Sequence, residues 1–304
     1  MRQIFMFLQK FKNKKIGIWG FGKVGTSYLS LLQNYTSSIT ILDKKNTQQI
    51  FSEHITFRIQ TPEEIISLFT ANDYICISPG INISAYEMYA EKCITELDIF
   101  PHLWNKETIA ITGSLGKTTI TSLSAQILHN YHIQTQAIGN IGYPMLEFAQ
   151  HPNDTQTVIL ELSSFQLSHT KNFAPDIAIW TNLYENHLDY HRSFDEYAQA
   201  KKNICAQQTA SQTLIINCNL EKYIQSPIQK VHWICNSEKE ALNFSNTYPA
   251  SFLWYVDEQK NITLLFKIIS KTALFPYASK NSAKVFLPSL NIKSSDSNVL
   301  LLKT

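Results

Sequence analysis

The sequence predicts an α/β protein, with a Rossmann-like N-terminal unit followed by a larger one whose sheet is mostly parallel and doubly wound. Two observations carry this. Short apolar runs alternate with helical patterns along most of the chain. Twice, such a run stops at a glycine-bearing turn that opens directly into a helical pattern, once at Gly20 and once at Gly113.

Taken in order, residues 16–20 read as a strand running into Gly20-Phe21-Gly22-Lys23-Val24-Gly25, with a helical pattern over 27–32. A second strand over 38–42 ends at Asp43. A Gly-x-Gly-x-x-Gly turn in this setting, with an acidic residue after the second strand, suits a nucleotide. Glycines that only allow close packing would look the same, and the residues leave both readings open. Tyr74–Ile77 is a further strand, followed at the sheet's carboxyl edge by the turn Ser78-Pro79-Gly80-Ile81. Pro101-His102-Leu103-Trp104 breaks the pattern, so a boundary is expected there, with domains over 1–102 and 103–304. Beyond it, strands are expected over 158–162, 177–181, Thr213–Asn217, 231–234, Phe252–Val256 and 262–269. Helices are expected over 120–129 and 194–204.

The chemistry gathers at strand ends. Gly113-Ser114-Leu115-Gly116-Lys117-Thr118-Thr119 follows an apolar strand and precedes a helix, the arrangement of a phosphate loop (P-loop). Gly113 and Gly116 let main-chain N–H groups turn toward an oxyanion. Lys117 brings a point charge for β/γ-phosphates, and Thr118 a hydroxyl for Mg²⁺ at the helix start. The position that the common Walker pattern gives to its first glycine holds Ile111, so the shorter Gly-x-x-Gly-Lys-Thr form is what remains. Glu161 ends a buried strand, where a carboxylate can serve Mg²⁺·ATP or merely open a helix. His187 lies in a polar cluster beyond the next strand and has either a metal or a structural role. Lys201 sits late in a helix, on the surface or aimed at phosphate; spacing does not decide.

Composition narrows the classes. A net charge of +2 suggests no nucleic-acid or membrane surface, and no stretch approaches a membrane span. The apolar residues 4–8 are too few for a signal segment and are followed by lysines on the wrong side. A cytoplasmic monomer is expected. The five cysteines include no Cys-x-x-Cys pair, which argues for free thiols in a reducing compartment.

Together these segments resemble the Mur ligases, ATP-dependent amide-forming enzymes of peptidoglycan precursor synthesis. The resemblance rests on residues 20–27, Ser78-Pro79-Gly80-Ile81, the loop from Thr112 to Thr119, Gly139-Asn140-Ile141-Gly142, Glu161-Leu162-Ser163-Ser164-Phe165-Gln166-Leu167, and residues 182–201, all in one order. The Ser-Ser-Phe-Gln-Leu wording favours the branch that adds D-glutamate. The resemblance implies ATP on the loop amides and Lys117, one Mg²⁺ shared by Thr118 and Glu161, and a second held with help from His187. It implies a carbamylated Lys201 acting as a metal ligand. Asn140 and Ser163 would lie along the muramoyl-alanine end of UDP-N-acetylmuramoyl-L-alanine. Lys23, Val24 and Asp43 would hold its UDP group, so the first glycine turn is not an NAD site. Two departures stand out. Asn186 precedes His187 where an acidic residue is common. Residues 287–293 keep only a degraded trace of the family's Gly-x-His-Asn-x-x-Asn turn, and the chain stops soon after. The expectation is a missing third domain, UDP-sugar binding without full turnover, and weakened ATP affinity. The competing readings are a non-catalytic UDP-sugar or nucleotide binder and an unrelated phosphate-loop NTPase.

Overall fold

The computed structural model describes residues 2–224, 227–247, 252–256, 262–265 and 283–285. Its first sheet has the order β3-β2-β1-β4-β5 and is parallel throughout. Its strands are β1 (Lys15–Trp19), β2 (Ser38–Asp43), β3 (Ile55–Ile59), β4 (Tyr74–Ile77) and β5 (Cys93–Ile94). The helices of this half are α1 (Arg2–Leu8), α2 (Lys23–Leu32), α3 (Pro62–Ala71) and α4 (Glu96–Leu103). Thr61 caps α3 with proline at the first helical position, and Thr95 and Asp98 form a reciprocal capping box on α4.

The second sheet has nine strands in the order β14-β13-β12-β11-β10-β9-β6-β8-β7. Its first six strands along the chain are β6 (Glu107–Thr112), β7 (Thr135–Gly139) at one edge, β8 (Thr157–Glu161), β9 (Ile177–Trp180), β10 (Thr213–Asn217) and β11 (Lys230–Cys235). They are joined by α5 (Lys117–Asn130), α6 (Met145–Gln150), α7 (Ser164–Leu167), α8 (Phe194–Lys202) and α9 (Glu238–Thr247). Pairing is parallel from β7 to β12 (Phe252–Val256), then antiparallel to β13 (Ile262–Leu265) and β14 (Ala283–Val285). All of β8 and all but the first residue of β6 are buried, as strands covered on both faces must be. The mostly parallel α/β class expected from the sequence is therefore the one observed. Residues 266–269, the turn trace at 287–293 and the apolar residues 299–302 lie outside the described residues.

Helices α2, α4 and α6 bring the two halves together, burying Tyr28, Leu32, Leu97, Phe100, Leu146 and Phe148 in one continuous core. The buried Glu96 carboxylate accepts the N–H of Leu146 at 3.1 Å, and burial pushes its pKa up to about 7.

Two expectations need correction. Pro101 does not break the pattern: α4 runs through it to Leu103, losing only the hydrogen bond that the missing N–H would have made. Nor are all five cysteines free, because Cys218 and Cys235 form a disulfide. The register pairs Asn217 with Ile234, so Cys218, just past the end of β10, and Cys235, the last residue of β11, emerge side by side, with Cα atoms 5.3 Å apart. Cys76, Cys93 and Cys205 are free and buried, and burial raises all three thiol pKa values. Among the described residues no helix is long and apolar enough to cross a membrane.

Candidate active site

The second glycine turn joins β6 to α5 and is gripped from the side. A β-carbon on Gly113 would fall 2.1 Å from the Thr181 hydroxyl, so any side chain there would have to displace Thr181. Gly116 has φ +76°, the left-handed region that lets the chain turn into α5. Asn182, just past β9, accepts the N–H groups of Ser114 and Leu115 on Oδ1 at 2.9 and 3.0 Å and donates from Nδ2 to the Leu115 carbonyl at 3.0 Å. The Ser114 hydroxyl accepts the Tyr184 N–H and shares a 2.8 Å hydrogen bond with the Tyr197 hydroxyl. The loop amides expected to cradle phosphate thus divide. Those of Ser114 and Leu115 are committed to Asn182, while the helix-opening amides from Gly116 to Thr119 carry no hydrogen bond among the described residues. Thr118 and Thr119 are exposed.

Two lysines converge on one carbonyl oxygen. Lys117 Nζ donates to the oxygens of Gly113 and Ser114 at 3.0 and 3.2 Å, and Lys201 Nζ donates to Gly113 at 2.7 Å. Lys201 is buried, at 1% exposure. Burial first, and then the neighbouring Lys117 charge, push its pKa down to about 7. Burial also lowers Lys117, opposed by the Glu161 carboxylate. Glu161 ends β8 and is 1% exposed; its Oε1 accepts from Asn140 Nδ2 at 2.8 Å. Its other oxygen, buried, has no partner among the described residues. Gly139, with φ +106°, brings Asn140 here: its chain passes so close to Glu161 that a β-carbon would meet the Glu161 carbonyl at 2.6 Å.

Lys117, Lys201, Glu161 and Asn140 therefore share one neighbourhood. His187 stays at its rim, exposed, with its ring 4.8 Å from Phe165 and 6.4 Å from Tyr197, whose ring also lies under Lys201 Nζ at 4.7 Å. Ser163 spends its side chain on the Gln166 capping box of α7. Among the described residues no group of three or more His, Cys, Asp or Glu could hold a metal. Of the set expected to ligate, only Glu161 and His187 belong to those types; an ammonium cannot ligate. The unpartnered oxygen of Glu161 is what fits a divalent cation at this edge.

The first glycine turn has different fastenings. Asp43 accepts the Phe21 N–H at 2.5 Å and the Lys45 N–H at 2.8 Å, so its carboxylate closes the turn. The Ser78 hydroxyl donates to the Gly20 carbonyl at 2.7 Å. Beside the turn lies an open cleft of about 430 Å³ lined by Gly22, Lys23, Lys44, Lys45, Gln60 and Pro79, with the half-buried Val24 also contributing. The two regions touch: the Tyr190 hydroxyl donates to the Ile81 carbonyl at 3.0 Å, and Asn82 Nδ2 donates to the Tyr190 carbonyl at 2.9 Å.

Sequence reasoning assigned no role to Asn182, Tyr197 or the buried His191, whose Nε2 is 3.0 Å from the Ser164 hydroxyl. For Asn182 a signal exists. It follows a strand, and if that strand neighbours the one feeding the loop, the residue past its end must meet the loop.

A parallel sheet whose strand–glycine loop–helix unit ends in Lys-Thr-Thr defines a phosphate-loop protein joined to a Rossmann-like half. More narrowly, the chain belongs to the Mur ligase family: residues 111–274 match the Mur ligase middle domain. It is 37% identical over 221 residues to the UDP-N-acetylmuramoylalanine–D-glutamate ligase of Lawsonia intracellularis, covering 70% of this chain and 50% of the relative. The enzyme of that name from Leuconostoc mesenteroides is 32% identical over 281 residues, covering 86% of this chain and 59% of the relative. The chain spans about half the length of the curated relatives it matches. Among solved structures, UDP-N-acetylmuramate:L-alanyl-γ-D-glutamyl-meso-diaminopimelate ligase from Neisseria meningitides is 14% identical, with 84% of each chain covered and a TM-score of 0.45, too loose a likeness to add to the sequence match.

Proposed function

We propose that this chain serves an ATP-dependent ligase of peptidoglycan precursor synthesis that joins D-glutamate to UDP-N-acetylmuramoyl-L-alanine. Residues 1–102 would hold the UDP-sugar, and residues 103–304 the nucleotide. The observation that carries the reading is the convergence of Lys117 and Lys201 on the Gly113 carbonyl, beside Glu161, at the carboxyl edge of a parallel sheet. Membership of the family and the names of the relatives support the choice of substrates.

In this reading the N–H groups that open α5 and the Lys117 ammonium meet the β/γ-phosphates of ATP. Glu161, the Thr118 hydroxyl and His187 would hold Mg²⁺, which when bound neutralises charge on the phosphoryl oxygens. The L-alanyl carboxylate oxygen attacks the γ-phosphorus and the bond to ADP breaks, giving an acyl phosphate. The D-glutamate amine then adds to the acyl carbon, gives up a proton, and inorganic phosphate leaves. Asn140 and Ser163 line the approach of the carboxylate. A Lys201 pKa near 7 leaves much of its amine unprotonated at neutral pH, the form that can take up carbon dioxide as a carbamate and so become a ligand rather than a competing cation. Lys23, Lys44 and Lys45 around the first cleft suit a diphosphate.

The test is ADP release with UDP-N-acetylmuramoyl-L-alanine, with and without D-glutamate, alongside direct binding of each ligand. Saturable binding of Mg²⁺·ATP and of the UDP-sugar supports the reading, and D-glutamate-dependent release extends it to the complete reaction. Failure to bind either ligand overturns it.

A further inference from the structure

We infer that Asn182 is a positioning residue of the phosphate loop, which fixes the Gly113–Ser114 peptide and so aims the oxygen on which both lysines meet. The inference rests on reading this loop as a nucleotide site. Because β9 lies beside β6, the residue past the end of β9 reaches the loop directly. Every side-chain hydrogen bond of Asn182 goes to Ser114 or Leu115, and its main-chain oxygen accepts the Trp180 indole N–H at 3.2 Å and, at 3.3 Å, the Ser114 N–H that its side chain also holds. At 8% exposure it has little water to exchange these partners with.

A trans peptide is planar, with N–H and C=O pointing to opposite sides. Holding the Ser114 N–H toward Asn182 therefore turns the Gly113 carbonyl away from it, toward Lys117 at 3.0 Å and Lys201 at 2.7 Å. An aspartate would keep the acceptor but lose the donor to Leu115, and a glutamine would push the loop away by one methylene. The same bonds withdraw the Ser114 and Leu115 amides from any anion. Phosphate is left to the amides of residues 116–119 and to Lys117, a site at the mouth of α5 rather than around the whole turn.

Amide hydrogen exchange and ligand binding on the full chain test this. In the unsubstituted chain the Ser114 and Leu115 amides should exchange more slowly than those of Lys117 and Thr118. In Asn182→Ala the protection of Leu115 should vanish and that of Ser114 should weaken, its N–H being left with the main-chain oxygen of residue 182 at 3.3 Å. Affinity for Mg²⁺·ADP should fall ~tenfold, two side-chain contacts to the loop amides being lost, while affinity for UDP stays the same. Asn182→Asp keeps both acceptor contacts, should retain the protection, and serves if the alanine variant does not fold. Equal exchange of the four amides in the unsubstituted chain overturns the inference. So does unchanged ADP affinity in Asn182→Ala, or an equal loss for ADP and UDP, which would mark general damage. Should the unsubstituted chain bind no Mg²⁺·ADP, the nucleotide reading fails, and the exchange comparison still decides whether Asn182 holds the loop.

Discussion

The two glycine turns of this molecule share a plan and differ in how they carry positive charge. Both follow a buried strand, both open a helix at the carboxyl edge of a parallel sheet, and both are tied down by a polar residue from the neighbouring strand's end. In the first, the tie is the carboxylate of Asp43, and the cations Lys23, Lys44 and Lys45 stand exposed around an open cleft. In the second, the tie is the neutral amide of Asn182, and the cations are partly or fully buried against one carbonyl. Exposed ammoniums stay solvated and attract an anion weakly over distance, whereas buried ones interact strongly and shift their protonation. Under the proposed function, the first turn would bind and the second would take part in chemistry.

The largest effect should come from Lys117. It is the cation of the loop itself, and Lys201, with its lowered pKa, is a poor substitute. Lys117→Ala is expected to weaken Mg²⁺·ATP binding by on the order of 100-fold, with UDP binding unchanged. Calorimetric titration of both ligands checks this, and equal ATP affinity in the variant would reject the contrast between the turns.

Next comes Asp43. Asp43→Ala leaves the Phe21 and Lys45 amides without their charged acceptor. Hydrogen bonds to charged groups are worth about 1.5–3 kcal/mol each, so UDP affinity should fall roughly tenfold as the turn loosens. Asp43→Asn keeps one acceptor oxygen and turns its amide NH2 toward the other N–H, so it should recover only part of the loss, and ATP affinity should not change in either variant. If the alanine variant weakens both ligands alike, the two turns are not independent.

Lys201 is expected to show in the pH dependence of stability. Its folded-state pKa is held down to about 7, while an unfolded lysine titrates near ~10.4. Between those values the unfolded chain binds a proton that the folded chain does not, so this residue makes stability rise with pH across that window. Below pH 7 both states are protonated and the burial penalty is felt in full. Lys201→Met should flatten the rise, read from denaturant unfolding between pH 7 and 10 with UDP binding as a control. An unchanged slope would mean that burial does not hold the pKa of this lysine down in the folded chain.

Much of this contrast was legible in the residues, and the remainder was not for definable reasons. Strands β4, β10 and β12 match the expected Tyr74–Ile77, Thr213–Asn217 and Phe252–Val256 because apolar runs with polar ends mark them out. Helices α2 and α5 begin at Lys23 and Lys117, earlier than the expected 27 and 120, because their opening turns carry few apolar residues and so no periodicity. The edge strand β7 was not expected, since mostly half-buried positions give it no apolar run. Asn182 and the Cys218–Cys235 pair depend on strand order: β9 beside β6, and β10 beside β11. Local pattern does not encode which strands become neighbours, so contacts across strand ends had to come from the fold.

The smallest expected effect lies at the rim of the first cleft. Lys45 is exposed, and its main-chain N–H, not its ammonium, is what Asp43 holds. Lys45→Ala therefore removes one solvated charge and leaves the turn closed. An exposed charge contributes a fraction of a kcal/mol to about 1 kcal/mol, which predicts roughly a two- to threefold loss of UDP affinity at low salt. That loss should shrink as ionic strength approaches physiological, where the Debye length is about 8 Å. The Lys117→Ala loss should persist over the same range, because a half-buried charge is screened less. Titrating both variants at two salt concentrations separates the cases, and a Lys45 effect that ignored salt would show that the first turn also uses its cations in a desolvated site.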